Sequence, residues 1–408
     1  MSYDFDVIVI GAGPGGSTLA TLLAQSSHSV AIIEKDQFPR FKIGESLLPH
    51  SMDILKESGV FDKINSGKYI KKYGASFVDY RENEPIYFEF ANGLDNDHGF
   101  AFEVPREEFD KDLLEHAQEN GVTVFQPEKV ICIDLSANPV RVKTDKKEIT
   151  TKYIVDATGR SALLGSKMSS RVKNDHFINN VAVFNHYHGV RRDLQKSEGD
   201  IILGILPNQS WSWHIPFKGE VTSVGVVCSP QTFKDNKSSD DLVKDLLQCH
   251  PRFIEVMKEA EPIREQQIIS NYSYSSQEKI GSNWLMVGDA ATFLDPVFSS
   301  GVHISLSSAS LAAKVLGEAL DTKTDLNQTS SGLTYQADVQ KGVDRFQSLL
   351  LLFYKTAFIT HMKKVIQTDL LYKSFTSAFS GDMWNEKNCL FRLGVLQDGN
   401  LPDEKYLI

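Results

Sequence analysis

The sequence predicts an α/β fold, and four consecutive features near the N-terminus carry that prediction. Asp6 to Ile10 is a short run rich in β-branched residues, which is typical of a buried parallel strand. The glycine-rich segment Gly11-Ala12-Gly13-Pro14-Gly15-Gly16 follows at once, and an apolar stretch with helical periodicity then runs from Ser17 to Gln25. A second strand, Val30 to Ile33, completes a strand, turn, helix, strand unit. Such units build the parallel sheets of α/β proteins.

The glycine-rich turn and the acid after the second strand have the pattern of a dinucleotide-binding site. Gly11 permits a tight turn, Gly13 lets the backbone approach a pyrophosphate, and Gly16 lets the helix pack closely on the strand. Glu34 follows the second strand, where a carboxylate can accept hydrogen bonds from ribose hydroxyls. The other residues assigned to this loop are Ala12, Pro14, Gly15 and Ser17. An isolated glycine pattern also fits a simple tight turn, but the complete order of elements favours a Rossmann-like site.

Composition and charge exclude other classes of protein. The net charge of −10 disfavours nucleic-acid binding, which needs a basic surface. The longest apolar run, Leu349 to Tyr354, is far shorter than the roughly 18 residues of a membrane span. The four cysteines lack the spacing of a zinc site or a disulfide framework, so we expect no metal. The N-terminus lacks the pattern of a signal peptide, and we therefore expect a cytoplasmic protein with no membrane segment.

Later segments indicate which dinucleotide is bound. They are Arg40-Phe41-Lys42-Ile43-Gly44-Glu45-Ser46, the helix-like segment that begins at Arg106, the strand and turn from Tyr153 to Arg160, and Gly288-Asp289. In this order they resemble the para-hydroxybenzoate-hydroxylase-like flavoprotein superfamily, and the resemblance implies FAD, with the Asp289 carboxylate on a ribityl hydroxyl. The cofactor-binding residues that it implies outside the glycine loop are Lys35, Arg40, Ile43, Gly44, Glu45, Ser46, Arg106, Val130, Gly288, Asp289, Pro296 and Ile304. A second glycine fingerprint for a nicotinamide is absent from the sequence, so we expect a separate flavin reductase to supply reduced FAD.

The segment Trp211-Ser212-Trp213-His214-Ile215-Pro216 matches the WxWxIP signature of flavin-dependent halogenases. On a strand, Trp211 and Trp213 lie on one face, and Ser212 and His214 lie on the other. The resemblance implies that the two tryptophans form a wall between flavin and substrate. Ordinary core packing is the alternative for a tryptophan pair on a strand.

The stretch from Phe293 to His303 resembles the Fx.Px.Sx.G pattern of the same halogenases. A turn formed by Ser299, Ser300 and Gly301 at a helix start would present backbone N–H groups to an anion. The resemblance implies that chloride or bromide binds at Ser300 and Gly301, and a flavin contact without halide is the alternative. Tryptophan halogenases have a glutamate where this chain has Phe298. We therefore assign Phe298 to the separating wall and favour a phenol or a pyrrole over free tryptophan.

Lys72-Tyr73-Gly74 matches the K-x-G segment that carries the active-site lysine of these halogenases. A lysine ammonium can donate a hydrogen bond to hypohalous acid, and a neutral amine can form a haloamine with it. Clustered lysines are more often solvated, and Lys68 and Lys71 lie close by in the sequence. Strand alternation points Lys71 and Lys72 to opposite faces, so we expect at most one of them to reach the interior, and the resemblance implies that it is Lys72.

These matches predict an FAD-dependent halogenase that uses reduced FAD, O2 and chloride or bromide to halogenate an electron-rich aromatic substrate. The substrate is either a free small molecule or one tethered to an acyl carrier protein. A monooxygenase or a geranylgeranyl-reductase-like oxidoreductase is the alternative in the same superfamily, because fold does not determine chemistry. A flavin-binding protein without enzymatic activity is the alternative of a different class.

We expect three parts. An FAD-binding domain is predicted from residues 1–75, 105–160 and 265–330, and an antiparallel substrate-side sheet domain from residues 76–104 and 161–264. A helical C-terminal segment is predicted for residues 331–408. Its apolar residues Phe346, Leu349, Leu350, Phe353 and Phe358 fit either a substrate-side wall or the core of an amphipathic helix.

Overall fold

A computed structural model of the chain describes residues 3–82, 84–95, 98–168, 170–173, 180–192, 197–236, 238–270, 273–355 and 358–392. The end of the predicted helical segment, residues 393–408, lies outside the described residues. The strands, in chain order, are β1 (Phe5–Ile10), β2 (Val30–Ile33), β3 (Ile70–Lys72), β4 (Gly74–Asp79), β5 (Ile86–Glu89), β6 (Ala101–Glu103), β7 (Thr123–Phe125), β8 (Val130–Asp134), β9 (Val140–Thr144), β10 (Glu148–Asp156), β11 (Arg171–Lys173), β12 (Val181–His188), β13 (Ile201–Ile205), β14 (Trp211–Pro216), β15 (Thr222–Cys228), β16 (Glu261–Pro262), β17 (Gln267–Ser270), β18 (Tyr274–Ser276), β19 (Trp284–Met286) and β20 (Thr292–Phe293).

The α-helices, in chain order, are α1 (Pro14–Gln25), α2 (Ser51–Glu57), α3 (Phe61–Ile64), α4 (Arg106–Glu119), α5 (Leu163–Lys167), α6 (Pro230–Lys234), α7 (Ser239–Leu247), α8 (Pro251–Met257), α9 (Ser300–Thr322), α10 (Ser330–Lys355), α11 (Phe358–Val365), α12 (Asp369–Phe379) and α13 (Cys389–Arg392).

A sheet of seven described strands carries the N-terminal glycine turn. Its order is β7-β2-β1-β10-β9-β8, and β19 pairs with β10. Strand β1 is parallel to β2 and to β10, as expected for buried strands joined by helical crossovers. Helix α1 packs against α9, and both contribute to the main hydrophobic core. The carboxyl ends of β1 and β10 therefore lie side by side, next to the glycine turn and the start of α1.

A second sheet, of eight described strands, lies next to the first. Its order is β16-β12-β15-β14-β13-β4-β5, and β17 also pairs with β12. All of its pairs are antiparallel except that between β4 and β13. Alternation divides its side chains between two cores: Phe77 and Trp213 face the main core, whereas Val78 and Val226 pack with α7 and α8.

The C-terminal helices α10, α11 and α12 supply residues to the main core that both sheets share. The predicted α/β class, with a Rossmann-like sheet, a second sheet and a helical C-terminal segment, is confirmed. The sequence boundaries of the three parts stay a prediction. Gly74 and strand β17 belong to the second sheet, although both fall within ranges assigned to the first part. No helix in the described part of the chain has the length and the apolar character needed to cross a membrane.

Candidate active site

The glycine-rich loop between β1 and α1 leaves its backbone accessible at Gly13. A Cβ on Gly16 would overlap the carbonyl oxygen of Gly11, so only glycine allows this approach of helix and strand. At Gly13 the nearest described atom to such a Cβ is an Arg40 guanidinium nitrogen, at 3.8 Å. Gly13 also precedes the first turn of α1, whose N–H groups lack intrahelical partners. The loop thus offers N–H donors and a cation to a phosphate, as the sequence predicts.

Two arginines lie beside this loop and share one buried carboxylate. Asp110 accepts from Arg40 Nη1 at 3.0 Å and from Arg106 Nε at 2.7 Å. Arg106 Nη1 also donates to the Ile43 carbonyl oxygen at 2.6 Å, which fixes the segment before Gly44. Arg40 Nε is buried and has no hydrogen-bond partner among the described residues. A buried donor without an acceptor fits the binding of an anionic group such as a cofactor phosphate.

Glu34 occupies the end of β2, where the sequence predicts the contact with a ribose. Its Oε2 accepts from the Ala12 N–H at 2.8 Å, and its Oε1 accepts from the Asp36 N–H at 2.9 Å. Each carboxylate oxygen keeps a further lone pair, so these bonds orient the group and leave it able to accept from a hydroxyl. Val130 follows closely on Glu128, whose N–H donates to the Glu34 carbonyl oxygen.

The remaining cofactor residues predicted from the sequence differ in burial and in the element that carries them. Ser17 is buried and donates through Oγ to the Ala12 carbonyl oxygen at 3.0 Å, whereas Lys35 is exposed. Pro296 begins the short turn before α9, and Ile304 is buried in the first part of that helix. The buried Glu45 is hydrogen-bonded through Oε1 to His186 Nε2 at 2.7 Å, and the protonation of the histidine ring decides which of the two is the donor.

Asp289 connects the cofactor site with the turn assigned to halide. Gly288 has a φ of +57°, and a Cβ there would crowd Ser305 of α9. A Cβ on Gly301 would lie 4.0 Å from Asp289 Oδ1, so the two segments are in contact. Burial raises the pKa of Asp289 to about 6, and the positive charges of Arg106, Arg160 and Lys42 oppose that rise. The Gly288–Asp289 turn and the turn predicted to bind halide are therefore neighbours.

The turn before α9 has the geometry of an anion site. Ser299 adopts a left-handed conformation with φ of +55°, which redirects the chain from the turn Pro296–Phe298 into the helix. Ser300 and Gly301 then form the first residues of a 23-residue helix, where backbone N–H groups lack intrahelical acceptors. The Ser300 side chain is buried. This arrangement can bind a halide through backbone donors and the helix dipole.

Trp211 and Trp213 lie in the centre of the second sheet and face the main core, as strand alternation predicts. Their ring centroids are 5.7 Å apart, and the Trp213 ring lies over Gly225, where a Cβ would overlap it. Trp213 contacts Phe184 at 5.8 Å, and Phe184 stacks on Phe41 of the cofactor segment at 6.2 Å. The tryptophan pair is thus linked by aromatic contacts to the segment that follows β2.

A buried polar network ties this pair to the halide turn. Trp211 Nε1 donates to the Tyr354 hydroxyl at 2.9 Å, and that hydroxyl donates to Asp295 Oδ2 at 3.0 Å. Asn180 Nδ2 is 3.2 Å from both oxygen atoms. Burial raises the pKa of Asp295 to about 6, and its hydrogen bonds to Asn180 and Tyr354 oppose that rise. The sequence did not single out Asp295 or Tyr354, although Asp295 lies inside the Phe293 to His303 stretch.

Phe298 lies in an aromatic cluster that the C-terminal helices complete. Its ring is 5.3 Å from Phe379, 5.9 Å from Phe353, 6.4 Å from Phe358 and 6.5 Å from Phe77. Phe353 and Phe358 therefore contact the turn that carries Ser300. The other three apolar residues that the sequence flagged, Phe346, Leu349 and Leu350, are buried in the main core. The sequence missed Phe77 and Phe379, because nothing local distinguishes them from other core aromatics.

Lys72 ends β3 and is buried, with 1% of its surface exposed. Its Nζ donates to Ser46 Oγ at 2.9 Å and lies 5.2 Å from the Phe90 ring centroid. Ser46 belongs to the segment assigned to the cofactor, and its Oγ donates to Glu103 Oε1 at 3.1 Å. Lys72 is thus an interior lysine next to a cofactor segment. The sequence offered no signal for Glu103.

Lys71 points to the opposite face of β3. Its Nζ lies 4.3 Å from the Phe100 ring centroid, and its side chain lines a cavity of about 330 Å³ together with His98. His98 also belongs to a group with His50 and Asp53 whose polar atoms could approach a metal. Asp53 Oδ2 lies 2.6 Å from His98 Nε2, and an Asp95 oxygen lies 3.2 Å from Nδ1. Both ring nitrogens of His98 thus lie near carboxylates. The absence of a metal stays a prediction.

Comparisons with known proteins identify relatives of the whole chain. The family described as FAD binding domain matches residues 4–335. A 1H-pyrrole-2-carbonyl-(peptidyl-carrier protein) chlorinase from Pseudomonas fluorescens is 33% identical over 391 residues, with 88% of this chain and 86% of that protein covered. A flavoprotein/dehydrogenase from Cytophaga hutchinsonii has a similar structure, with a TM-score of 0.85, 28% identity and 95% of both chains covered. The flavin-dependent brominase Bmp2 has a TM-score of 0.84, 25% identity and 98% of both chains covered.

Tyr354→Phe should destabilise the protein. Trp211 Nε1 would lose its acceptor and Asp295 would lose a donor, and each unsatisfied buried polar group costs about 1–3 kcal/mol. Urea unfolding followed by tryptophan fluorescence should therefore show a lower free energy of unfolding. Tyr73→Phe, at an exposed tyrosine, is the matched control and should change it by less than about 0.5 kcal/mol. Equal stabilities of the two variants would contradict the proposed network.

Proposed function

This chain belongs to the flavin-dependent halogenases, which carry the FAD-binding domain matched here, and from that premise we propose how its residues divide the reaction. FAD is its cofactor, and the bound flavin supplies the two-electron oxidation of halide by O2 to hypohalous acid. We propose that Ser300 and Gly301 hold the halide, that Trp211, Trp213 and Phe298 separate the flavin from the arene, and that Lys72 binds the oxidant beside the arene.

The burial of Lys72 is the observation that carries this proposal. A lysine removed from water loses hydration, so the interior must supply partners for its charge or favour its neutral form. Ser46 is the hydrogen-bonding partner, and it connects the lysine to the cofactor segment. Hypohalous acid that reaches Lys72 meets a donor or a nucleophile in surroundings free of bulk water. This environment favours transfer of halogen to an arene over loss of the oxidant to solvent.

The residues predicted to bind FAD support this division of the reaction between separate sites, because they can hold the cofactor in place. Arg40, with its unpartnered Nε, and the N–H groups at Gly13 can bind the pyrophosphate. Glu34, oriented by two backbone N–H groups, can accept from a ribose hydroxyl. Asp289 lies in contact with Gly301, so a ligand held by Asp289 borders the proposed halide site. The protein thus fixes the two reacting regions and leaves the oxidation to the cofactor.

We propose a phenol or a pyrrole as the substrate. Phe298 stands where tryptophan halogenases have a glutamate, which disfavours free tryptophan. Aromatic rings from β4, α10, α11 and α12 surround Phe298. The 33% identical relative is named for a pyrrole carried on a peptidyl carrier protein, which supports testing both free and carrier-tethered substrates. A separate flavin reductase is the proposed source of reduced FAD.

Halogenation should depend on an external supply of reduced flavin. With FAD, NADH, O2 and bromide, the pure chain should give no halogenated product, and an added flavin reductase should restore turnover. Mass spectrometry of a panel of phenols and pyrroles, free and carrier-loaded, with chloride or bromide, measures the product and identifies the substrate. Efficient NADH oxidation by the chain alone would contradict the reductase requirement.

Lys72→Met should abolish arene halogenation, because methionine fills a similar volume but provides neither a donor nor an amine. Oxidation of reduced FAD by O2 and halide-dependent formation of hypohalous acid should continue, since the cofactor residues lie on other elements. Lys72→Arg should retain part of the activity if hydrogen bonding suffices, and none if a neutral amine is required. Lys71→Met is the matched control, because that side chain lies on the other face of β3, and it should halogenate like the natural protein. Full halogenation by Lys72→Met would refute the assignment.

A further inference from the structure

Lys72, Ser46 and Glu103 form a linear chain of hydrogen bonds inside the protein. Lys72 Nζ donates to Ser46 Oγ at 2.9 Å, and Ser46 Oγ donates to Glu103 Oε1 at 3.1 Å. All three side chains are buried, and Glu103 is 0% exposed. A hydroxyl that accepts from an ammonium and donates to a carboxylate can pass a proton between them, because it accepts one proton as it releases another. The geometry is thus that of a proton relay.

Backbone pairing fixes the positions of Lys72, Ser46 and Glu103 relative to one another. Strand β3 pairs with β6 so that Lys72 lies opposite Ala101, and Glu103, two residues further along β6, projects from the same face. Ser46 forms a β-bridge with Glu103. The Leu47 N–H donates to the Phe102 carbonyl oxygen at 3.0 Å, and the Val104 N–H donates to that of Glu45 at 2.7 Å. The relay is therefore held by strand pairing on both sides of Ser46.

The other charged groups around the relay are occupied elsewhere. Asp200 Oδ1 accepts from the N–H groups of Tyr73 and Gly74, and its Oδ2 accepts from the Tyr87 hydroxyl. Glu45 is bonded to His186 at 2.7 Å. Glu103 Oε2, by contrast, has no hydrogen-bond partner among the described residues. An ionised carboxylate with a bare buried oxygen is costly, whereas the protonated acid avoids that cost.

We propose that Glu103 accepts a proton from Lys72 through Ser46, so that hypohalous acid meets a neutral amine. This inference rests on the proposed function, in which Lys72 receives that oxidant. Glu103 is a positioning residue here, since it acts on the reacting atoms only through Ser46 and Lys72. The carboxylate that pairs with Lys72 in this proposal thus comes from β6.

The proton and the electrons balance in each step. The ammonium of Lys72 gives one proton to Ser46 Oγ while the Ser46 hydroxyl proton moves to Glu103, which leaves an amine, a hydroxyl and a carboxylic acid. The amine lone pair attacks the halogen of hypohalous acid, and the N–H proton lost from nitrogen joins the departing hydroxide as water. The haloamine transfers its halogen to the arene carbon, and the proton displaced from that carbon returns to the nitrogen. The amine is thereby restored, with the arene oxidised and the halogen reduced.

The electrostatics agree with the geometry. Burial raises the pKa of Glu103 to about 8, and the charge of Lys72 and the Ser46 hydrogen bond oppose the rise. Burial also lowers the pKa of Lys72, opposed by the charges of Glu103 and Asp200. Both shifts favour the neutral pair at neutral pH. Below the folded pKa of about 8 the acid keeps its proton, and above it the carboxyl ionises.

Glu103→Gln tests the relay, because an amide can bond Ser46 but cannot accept its proton. We expect arene halogenation to fall at least 100-fold, while a small arene trap in solution still detects hypohalous acid. Glu103→Asp should recover part of the activity, and its pH profile should be displaced from that of the natural protein. Glu108→Gln, at an exposed carboxylate on α4, is the matched control and should leave the rate unchanged. Natural rates in Glu103→Gln would overturn the proposal.

An infrared difference spectrum gives a readout that needs no catalysis. The spectrum of the natural protein minus that of Glu103→Gln, both as folded apoprotein near pH 7, should contain the C=O band of a protonated carboxylic acid. A carboxylate band in its place would overturn the relay even if Lys72 proves essential. If the natural protein makes no halogenated arene from any substrate, the proposed function fails, and the infrared result still decides the protonation of Glu103.

Discussion

The pairing of residues 45–47 with residues 102–104 joins the two halves of the proposed catalytic site. The Val104 and Leu47 N–H groups donate to the carbonyl oxygens of Glu45 and Phe102, and Ser46 bridges Glu103. Residues before this pairing reach the cofactor side, where Arg106 holds the Ile43 carbonyl oxygen. Strand β3, on the other edge of β6, carries Lys72. The distance between the cofactor segment and the lysine is thus set by backbone hydrogen bonds, which long side chains could not fix as firmly.

The second constraint is that charged side chains buried away from water need partners, and in this protein other buried side chains supply them. Asp110 pairs with both Arg40 and Arg106, and Asp295 lies among the hydroxyl and amide donors of Tyr354 and Asn180. Such pairs are strongly destabilised when one partner is removed, because the other stays buried and unsatisfied. Tyr354 also links the tryptophan pair to the turn before α9, so the positions of the separating wall and the proposed halide site depend on each other.

Local patterns in the sequence predicted the strand, turn and helix around Gly11 to Gly16, because residue periodicity and glycines whose Cβ would overlap the backbone are visible in a short window. The choice of Lys72 over Lys71 came from the resemblance to halogenases, since strand alternation only places the two side chains on opposite faces. The contact of Glu103 with Ser46 depends on pairing between segments distant in the chain, and nothing in the sequence around Glu103 indicates it. In the sequence, Tyr354 is only the last residue of an apolar run. Its hydrogen bonds to Trp211 and Asp295 form only when α10 packs against β14 and the turn before α9.

Oxygen isotope labelling tests the central claim, that the flavin oxidises halide and never the arene. The enzyme is supplied with reduced FAD, ¹⁸O2 and an accepted arene, once with bromide and once without halide. Because the proposed wall of Trp211, Trp213 and Phe298 keeps the arene from the flavin, we expect brominated arene without ¹⁸O in the first case. In the second case we expect unchanged arene and labelled hydrogen peroxide. Arene that carries ¹⁸O in the absence of halide would contradict the account and identify the protein as a monooxygenase.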